Sequence, residues 1–419
     1  MEKNSHAAAT NVLLVLLTPR GESRYFVLAL FTVSMIAGSM LYGGIGALVP
    51  YVGRSFDLPH AQLGLIATAM VAGGFLTVAV SGTLCDRFGD KAMLLESGIL
   101  MGGSMMAAAI FPNYFWLLGC VFLYGIGNAA SNPAGTHAIL AFFSREQRGL
   151  AMGIRQTGMP VGGALGSLLF ALVAWHYGYR GALLTGGTVV LVVCTAAALL
   201  YRQPKELCGE HVSILKLIED IGHIGKDPRL ILVTVTAMLL MCLQIIFITF
   251  FPLTLVRGGG YSAEIAALIF AGGHLSAGAG RMVWGGLSDH RYRGSRTIPM
   301  VYCAILGAGA AMLLSGIGHI GIGLLCIAAF GLGFAGEGWF ALAMLALAEI
   351  GGEDHAGGAV GFGIMWMLVA AAIAPLLMGA LVGTAGYAIA WHVAAAIALV
   401  AAVPALMATR MMRAQPAEG

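Results

Sequence analysis

The chain has 419 residues, of which 59% are hydrophobic and only 10% charged. Ordinary soluble domains carry about a quarter charged residues and roughly 45–50% apolar ones, so this composition excludes a water-soluble globule and a disordered chain. A formal net charge of +3 is too small to mark a polyanion partner, which excludes nucleic-acid binding.

Stretches of about 20 apolar residues, enough to cross a hydrocarbon core of roughly 30 Å, occur twelve times. Open strands would leave backbone groups unpaired in lipid, and the alternation of a barrel is absent. The prediction is an all-α membrane protein with twelve transmembrane helices.

A tail covers 1–24; its apolar run Val12 to Leu17 is short and lacks the cleavage site of a signal peptide. Helix one spans 25–48 and carries Tyr42. Helix two (61–81) runs into the polar loop 82–91, and helix three (91–111) bears Glu96 near its start, in the charged seam. Helix four (115–141) repeats Asn128, Asn132 and Thr136 at spacing four, a polar stripe that brings His137 alongside. Helix five (149–174) holds Arg155, Gln156 and Pro160 among glycines, a bendable and closely packing sequence. Helix six covers 180–201.

The longest polar interval, 202–228, divides the spans six and six. Ile214, Leu217, Ile218 and Ile221 share one face there, which fits either a helix on the membrane surface or a solvated linker. Helix seven (229–255) contains Gln244, and helix eight (263–287) places His274 and Arg281 two turns apart with Gly278 between them. Helices nine to twelve cover 297–317, 320–348, 358–382 and 387–409, and a tail follows at 410–419. Glu337 lies near the middle of helix ten between Gly336 and Gly338. The domain reading is two six-helix halves, 25–201 and 229–409, joined by the linker 202–228. The seven cysteines form no C-x-x-C pair and read as packing residues.

Of the 22 basic residues, 17 collect on one side if both termini face the cytoplasm. Three, Arg54, Arg180 and Arg257, fall opposite, and Arg155 and Arg281 lie within spans. The positive-inside rule then orients the chain in the cell inner membrane with both termini cytoplasmic. The halves also resemble each other: Gly82-Thr-Leu84-Cys-Asp86 recurs as Gly285-Gly-Leu287-Ser-Asp289, and Gly178-Tyr179 as Gly386-Tyr387, at offsets of 203 and 208. Such parallel repeats are an architecture of secondary transporters, with the solute site between halves near the midplane.

The run Gly82 to Lys91 fits the G-x-L-x-D-R-x-G-x-[RK] loop between helices two and three of the major facilitator superfamily at every defined position, and Gly285 to Arg296 is a weaker copy. The chain thus resembles that family along essentially its whole length, and in particular its organic-anion and carboxylate carriers. The resemblance implies a gate at this loop formed by Gly82, Asp86, Arg87, Gly89, Lys91 and Asp289. It places Asp86 against the start of helix eleven near Gly357, and Asp289 against the start of helix five near Gly149. Helix five departs from the family's antiporter motif, because Met159 separates Gly158 from Pro160. Nitrate carriers of the family have an arginine in helix two as well as in helix eight; residues 61–81 contain none.

Ionisable residues at membrane depth cost roughly 2.5–3.5 kcal/mol each on insertion scales and mark function by default. Arg281 and Arg155 read as anion-binding groups, or as members of structural pairs. Glu337 reads as a proton site or as the resting partner of Arg281. His274, Asn128, Asn132, Tyr42, Gln244 and Gln156 are the further candidates for solute binding.

The leading reading is a monomeric secondary transporter for a small anionic, carboxylate-like organic solute. It works by alternating access, coupled to protons or to a counter-solute, with no metal or other cofactor. Efflux of amphipathic drugs, favoured by 22 methionines, is the alternative transport reading. A non-transporting sensor or an intramembrane enzyme is the alternative of another class. No H-E-x-x-H pair, nucleophile elbow or nucleotide-binding loop supports catalysis.

Overall fold

The computed structural model describes residues 24–143, 148–203 and 227–414, and within those residues every regular element is helical. The first helix, α1, is Arg24–Phe56. His60–Ala108 is continuous except for a bend at Gly89, which separates α2 (60–88) from α3 (90–108). Tyr114–Phe142 is α4. Arg148–Gln156 and the first part of Gly158–Leu200 form α5 in two pieces (148–177), and a bend at Gly178 starts α6 (179–200). Pro228–Leu253 is α7, extended by a π turn at Thr254–Gly258; Ala263–His290 is α8 and Thr297–Ser315 is α9. Ile322–Phe334 opens α10 (322–351), which resumes at Phe340; bends at Gly352 and Gly386 set off α11 (353–385) and α12 (387–414).

Length explains the bends. The apolar stretches Ile154–Leu200 and Gly358–Arg413 have 47 and 56 residues, so at about 1.5 Å per residue each is roughly twice the depth of a bilayer core. Each must fold back. Gly178 and Gly386 do this in equivalent places of the two halves, with φ of 68° and 81°, a conformation that residues with a Cβ rarely adopt. The repeat seen in the amino-acid order is therefore a repeat of backbone geometry.

Within each half the helices approach closely where glycine removes the Cβ. In the first half a Cβ on Gly44 would meet the backbone of Gly166 at 2.7 Å, and in the second half one on Gly273 would meet the carbonyl of Ala329 at 3.0 Å. The outer faces carry bare apolar side chains, with Phe115 at 80%, Tyr177 at 76% and Leu199 at 67% exposure. Such a surface fits lipid rather than water.

Two expectations are corrected. Helix one continues eight residues past the predicted limit, through Pro50, because Val49 to Gly53 are buried in the bundle. Helices five and ten are interrupted near their middles, at residue 157 and residues 335–339. The linker segment 204–226, both tails (1–23 and 415–419) and the side chains of Gly82, Asp86, Asn132, His137, Gly149 and Gly357 lie outside the described residues.

Candidate functional site

The break in α5 follows from Pro160. A helical carbonyl at position 156 normally accepts from the amide at 160, but proline has no N–H to give. The carbonyl of Gln156 is therefore left over at membrane depth. Arg281 of α8 reaches across from the other half and donates Nη1–H to it at 3.2 Å, while Nη2 lies 3.7 Å from Met159 Sδ. Its guanidinium carbon also sits 5.9 Å from the centre of the Phe340 ring, within cation–π range. Among the described residues the buried Nε of Arg281 has no partner, and no carboxylate lies within 4.0 Å of the guanidinium.

Arg155 does not join it. Its side chain is 3% exposed and turns into the first half, where the guanidinium lies against Gly135 of α4. A Cβ at Gly135 would come within 2.6 Å of Arg155 Nη2, so only glycine leaves room there. The two arginines expected to clasp one solute thus face different neighbours.

The break in α10 carries Glu337, which is 2% exposed. Carbonyls freed by the break find side-chain donors: Trp284 Nε1 donates to Phe334 O at 2.8 Å, and Trp339 Nε1 to Gly336 O at 2.8 Å. Glu337 Oε1 lies 3.2 Å from His274 Nδ1, a pair with both side chains buried. On the opposite edge of the ring, His274 Nε2 is 2.9 Å from the carbonyl of Gly43 on α1. A carbonyl only accepts, so Nε2 carries a hydrogen. Phe270, with its ring centre 4.5 Å from that of the imidazole, and Gly163, where a Cβ would come within 3.1 Å of the ring, close the other sides. Expected as a solute ligand, His274 is instead sealed in the seam between the halves.

The remaining candidates are spread along the same seam. Tyr42 on α1 is close enough to Glu337 and Arg281 to feel their charges. Gln244 on α7 is 3% exposed, with an Oε1 that has no partner among the described residues. Asn128 is partly buried and its carbonyl accepts from Ser131 Oγ at 2.8 Å. Gln156 contributes its backbone.

At the basic end, Arg87 is exposed and stacks on Phe88 at 5.3 Å, and Gly89 has φ 82°. The Lys91 amide donates to Gln203 Oε1 at 3.1 Å, tying the loop to the end of α6. Asp289 pairs with Arg296, whose Nη2 is also 2.9 Å from Glu349. All three belong to the second half, so Asp289 is held within its own half instead of against the start of α5. The halves meet firmly at the far end: Tyr51 Oη donates to Glu264 Oε1 at 3.0 Å, His60 Nε2 is 3.0 Å from Tyr387 Oη, and Thr68 Oγ1 donates to Ala372 O at 2.7 Å.

Residues 28–349 match the model of the Major Facilitator Superfamily. The chain belongs to this superfamily. It is 28% identical over 390 residues to the uncharacterised MFS-type transporter Rv2994 of Mycobacterium tuberculosis, covering 92% of this chain and 85% of the relative. The gallate transporter of Pseudomonas putida is 25% identical over 311 residues, 66% of this chain and 69% of that one. An inward-facing, unoccupied bacterial homologue of the human lysosomal transporter Spinster superposes with a TM-score of 0.78 at 16% identity, covering 94% of this chain and 99% of that one. This facilitator is therefore a membrane transporter, not an enzyme. Several of its inter-half contacts, Tyr51 with Glu264 and His60 with Tyr387, had no signal in the amino-acid order, because each partner sits at a helix end where polar residues are ordinary. Asp90, 1% exposed and accepting from Tyr201 Oη at 3.2 Å, ties the loop to the end of α6 within the first half and likewise had no signal in the amino-acid order.

Proposed function

We propose that this facilitator is a secondary active transporter of small organic anions bearing a carboxylate-like group, working by alternating access in the inner membrane with its basic end cytoplasmic. One observation carries the reading. Arg281 is held in the seam with a neutral carbonyl, a thioether and an aromatic face, and without a carboxylate. Burying an arginine unpaired costs several kcal/mol, and a guanidinium binds a carboxylate bidentately in low dielectric. The solute is the missing counter-charge. The likeness to a gallate transporter supports the same class of cargo.

The test is uptake of a panel of carboxylates, gallate included, by proteoliposomes, after a solute-induced thermal-shift screen selects the best. Arg281→Gln is expected to lower uptake by about 10- to 100-fold, the worth of a charged hydrogen-bonded pair. Arg281→Lys is expected to recover part of it. Uptake by Arg281→Gln within twofold of wild type would contradict the reading and favour efflux of amphipathic drugs, which does not need this charge.

A further inference from the structure

The short connection between α8 and α9 carries Arg291, Arg293 and Arg296. It turns sharply: Arg293 has φ 52° and Gly294 φ 82°, and Ser288 Oγ donates to Ser295 O at 3.0 Å across the turn. The left-handed conformation favours glycine or asparagine, so the turn itself gives no reason for an arginine at 293. Its charge does. The turn borders a cavity of about 580 Å³ at the basic end of the second half, within the size range of small-molecule sites. Arg229 at the start of α7, Arg293, Arg296 and Arg413 near the end of α12 all line it, with Glu349 of α10.

Two of these four guanidiniums are engaged within the protein. Arg229 Nη2 lies 2.7 Å from Asp227, and Arg296 divides itself between Asp289 and Glu349. Arg293 and Arg413 are exposed, and among the described residues neither lies within 4.0 Å of a carboxylate. Four guanidiniums against three carboxylates leave one positive charge at the cavity. Beneath the arginines the floor is apolar, with Ile350 and Met412. An exposed stripe leads away from it along α12: Leu399, Val403 and Leu406, each about half exposed, share one helical face with Arg413. From Leu399 to Arg413 is about 21 Å at 1.5 Å per residue, which matches one leaflet of a bilayer about 40–45 Å thick with its headgroups.

We propose that this cavity holds the phosphodiester headgroup of an anionic membrane lipid, with an acyl chain along the α12 stripe. A phosphodiester carries one negative charge and neutralises the one left over. Arg293 and Arg413 grip its oxygens, for which the planar guanidinium fork is suited, and Ile350 and Met412 cover the glycerol. Basic pockets between helix ends at the membrane surface favour such headgroups. A zwitterionic headgroup brings its own cation against the arginines, and free phosphate forgoes the stripe. Because α7, α9, α10 and α12 all belong to the second half, the lipid braces that half at one end without tying it to the other. The site is independent of the reading of Arg281 as the solute anchor.

The test uses the full chain, purified in a neutral detergent, stripped of lipid and titrated with phosphatidylglycerol, phosphatidylcholine or inorganic phosphate. Binding is read by native mass spectrometry and by the melting temperature. Phosphatidylglycerol is expected to bind and to stabilise, and the other two to do so about tenfold more weakly or less. Arg293→Asn, which keeps the left-handed turn, and Arg413→Gln are each expected to weaken phosphatidylglycerol binding by about tenfold. Among the described residues neither side chain makes an ion pair, so the lipid-free melting temperature should stay put. Arg291→Gln removes an equal charge from the same loop outside the cavity and should change binding by less than about twofold. An equal loss in Arg291→Gln would mean diffuse attraction to the basic surface and would overturn the site, as would unchanged binding in both Arg293→Asn and Arg413→Gln. Equal stabilisation by inorganic phosphate or by phosphatidylcholine would overturn the anionic lipid as its occupant.

Discussion

At the scale of single residues, the chain spends its few charges on two tasks, and Asp227 illustrates the structural one. It caps α7: its carboxylate accepts from the Arg229 amide at 2.8 Å and from Arg229 Nη2 at 2.7 Å. The hydrogen bonds from the Arg229 side chain hold its carboxyl below the usual carboxylate range. A lowered folded value means the stabilisation is present in full above the unfolded value near pH 4 and is lost as the pH falls through the folded one. Asp227→Ala is expected to cost about 1 kcal/mol, the usual worth of an N-cap. Asp227→Asn keeps the cap and loses only a part-exposed ion pair, worth a few tenths of a kcal/mol. The gap in melting temperature between wild type and Asp227→Asn should be measurable near pH 7 and close near pH 3; a gap unchanged by pH would contradict the ionic part.

At the scale of elements, the two broken helices do the positioning. Arg281, His274 and Glu337 stand out as candidates because ionisable side chains are conspicuous in apolar helices, and their depths follow from residue spacing. Their partners were not legible. Glu337 reads as a proton site or as a mate for Arg281; the turn at 335–339 sets its carboxylate 3.2 Å from His274 Nδ1, and no periodicity announces a five-residue interruption. Arg155 reads as a cavity residue, yet rotation about the axis of α5 points it at Gly135. Pro160, by contrast, was visible as a break, and the orphaned carbonyl it leaves at Gln156 follows from chemistry alone. Pro160→Ala restores an amide that competes with Arg281 for that carbonyl. Removing one charge-assisted hydrogen bond from the resting arginine is worth about 1.4 kcal/mol, so KM for the carboxylate solute should fall up to about tenfold. Maximal uptake should fall as well, since the straightened helix resists rearrangement. Uptake kinetics with an unchanged KM would show that the Gln156 contact does not compete with the solute.

At the scale of the whole molecule, alternating access requires that the ties between halves break at one end while others form at the opposite end. The ties described here cluster at the far end, in Tyr51–Glu264, His60–Tyr387 and Thr68–Ala372. At the basic end Asp289, Arg296 and Glu349 close on themselves within one half. The Tyr51 hydroxyl is central to this asymmetry, because its single O–H, given to Glu264 at 3.0 Å, also lies 3.3 Å from the Ala171 carbonyl of its own half, so the ring brings α1, α5 and α8 together at one point. Just inside it, Ala47, Ala171 and Ala267 form a small buried cluster across the same three helices, with Ala47 only 2% exposed. Tyr51→Phe removes the hydroxyl and keeps the ring. A hydrogen bond to a carboxylate is worth about 1.5–3 kcal/mol, so the population open at the far end should rise by about tenfold or more. A cysteine placed at Ala47 reports this directly: its labelling by a membrane-impermeant maleimide from the far side, followed by peptide mass spectrometry, should accelerate about tenfold in the Tyr51→Phe background. Equal labelling rates in both backgrounds would mean that the far-end closure is carried by helix packing, and that Tyr51 and Glu264 are passengers in it.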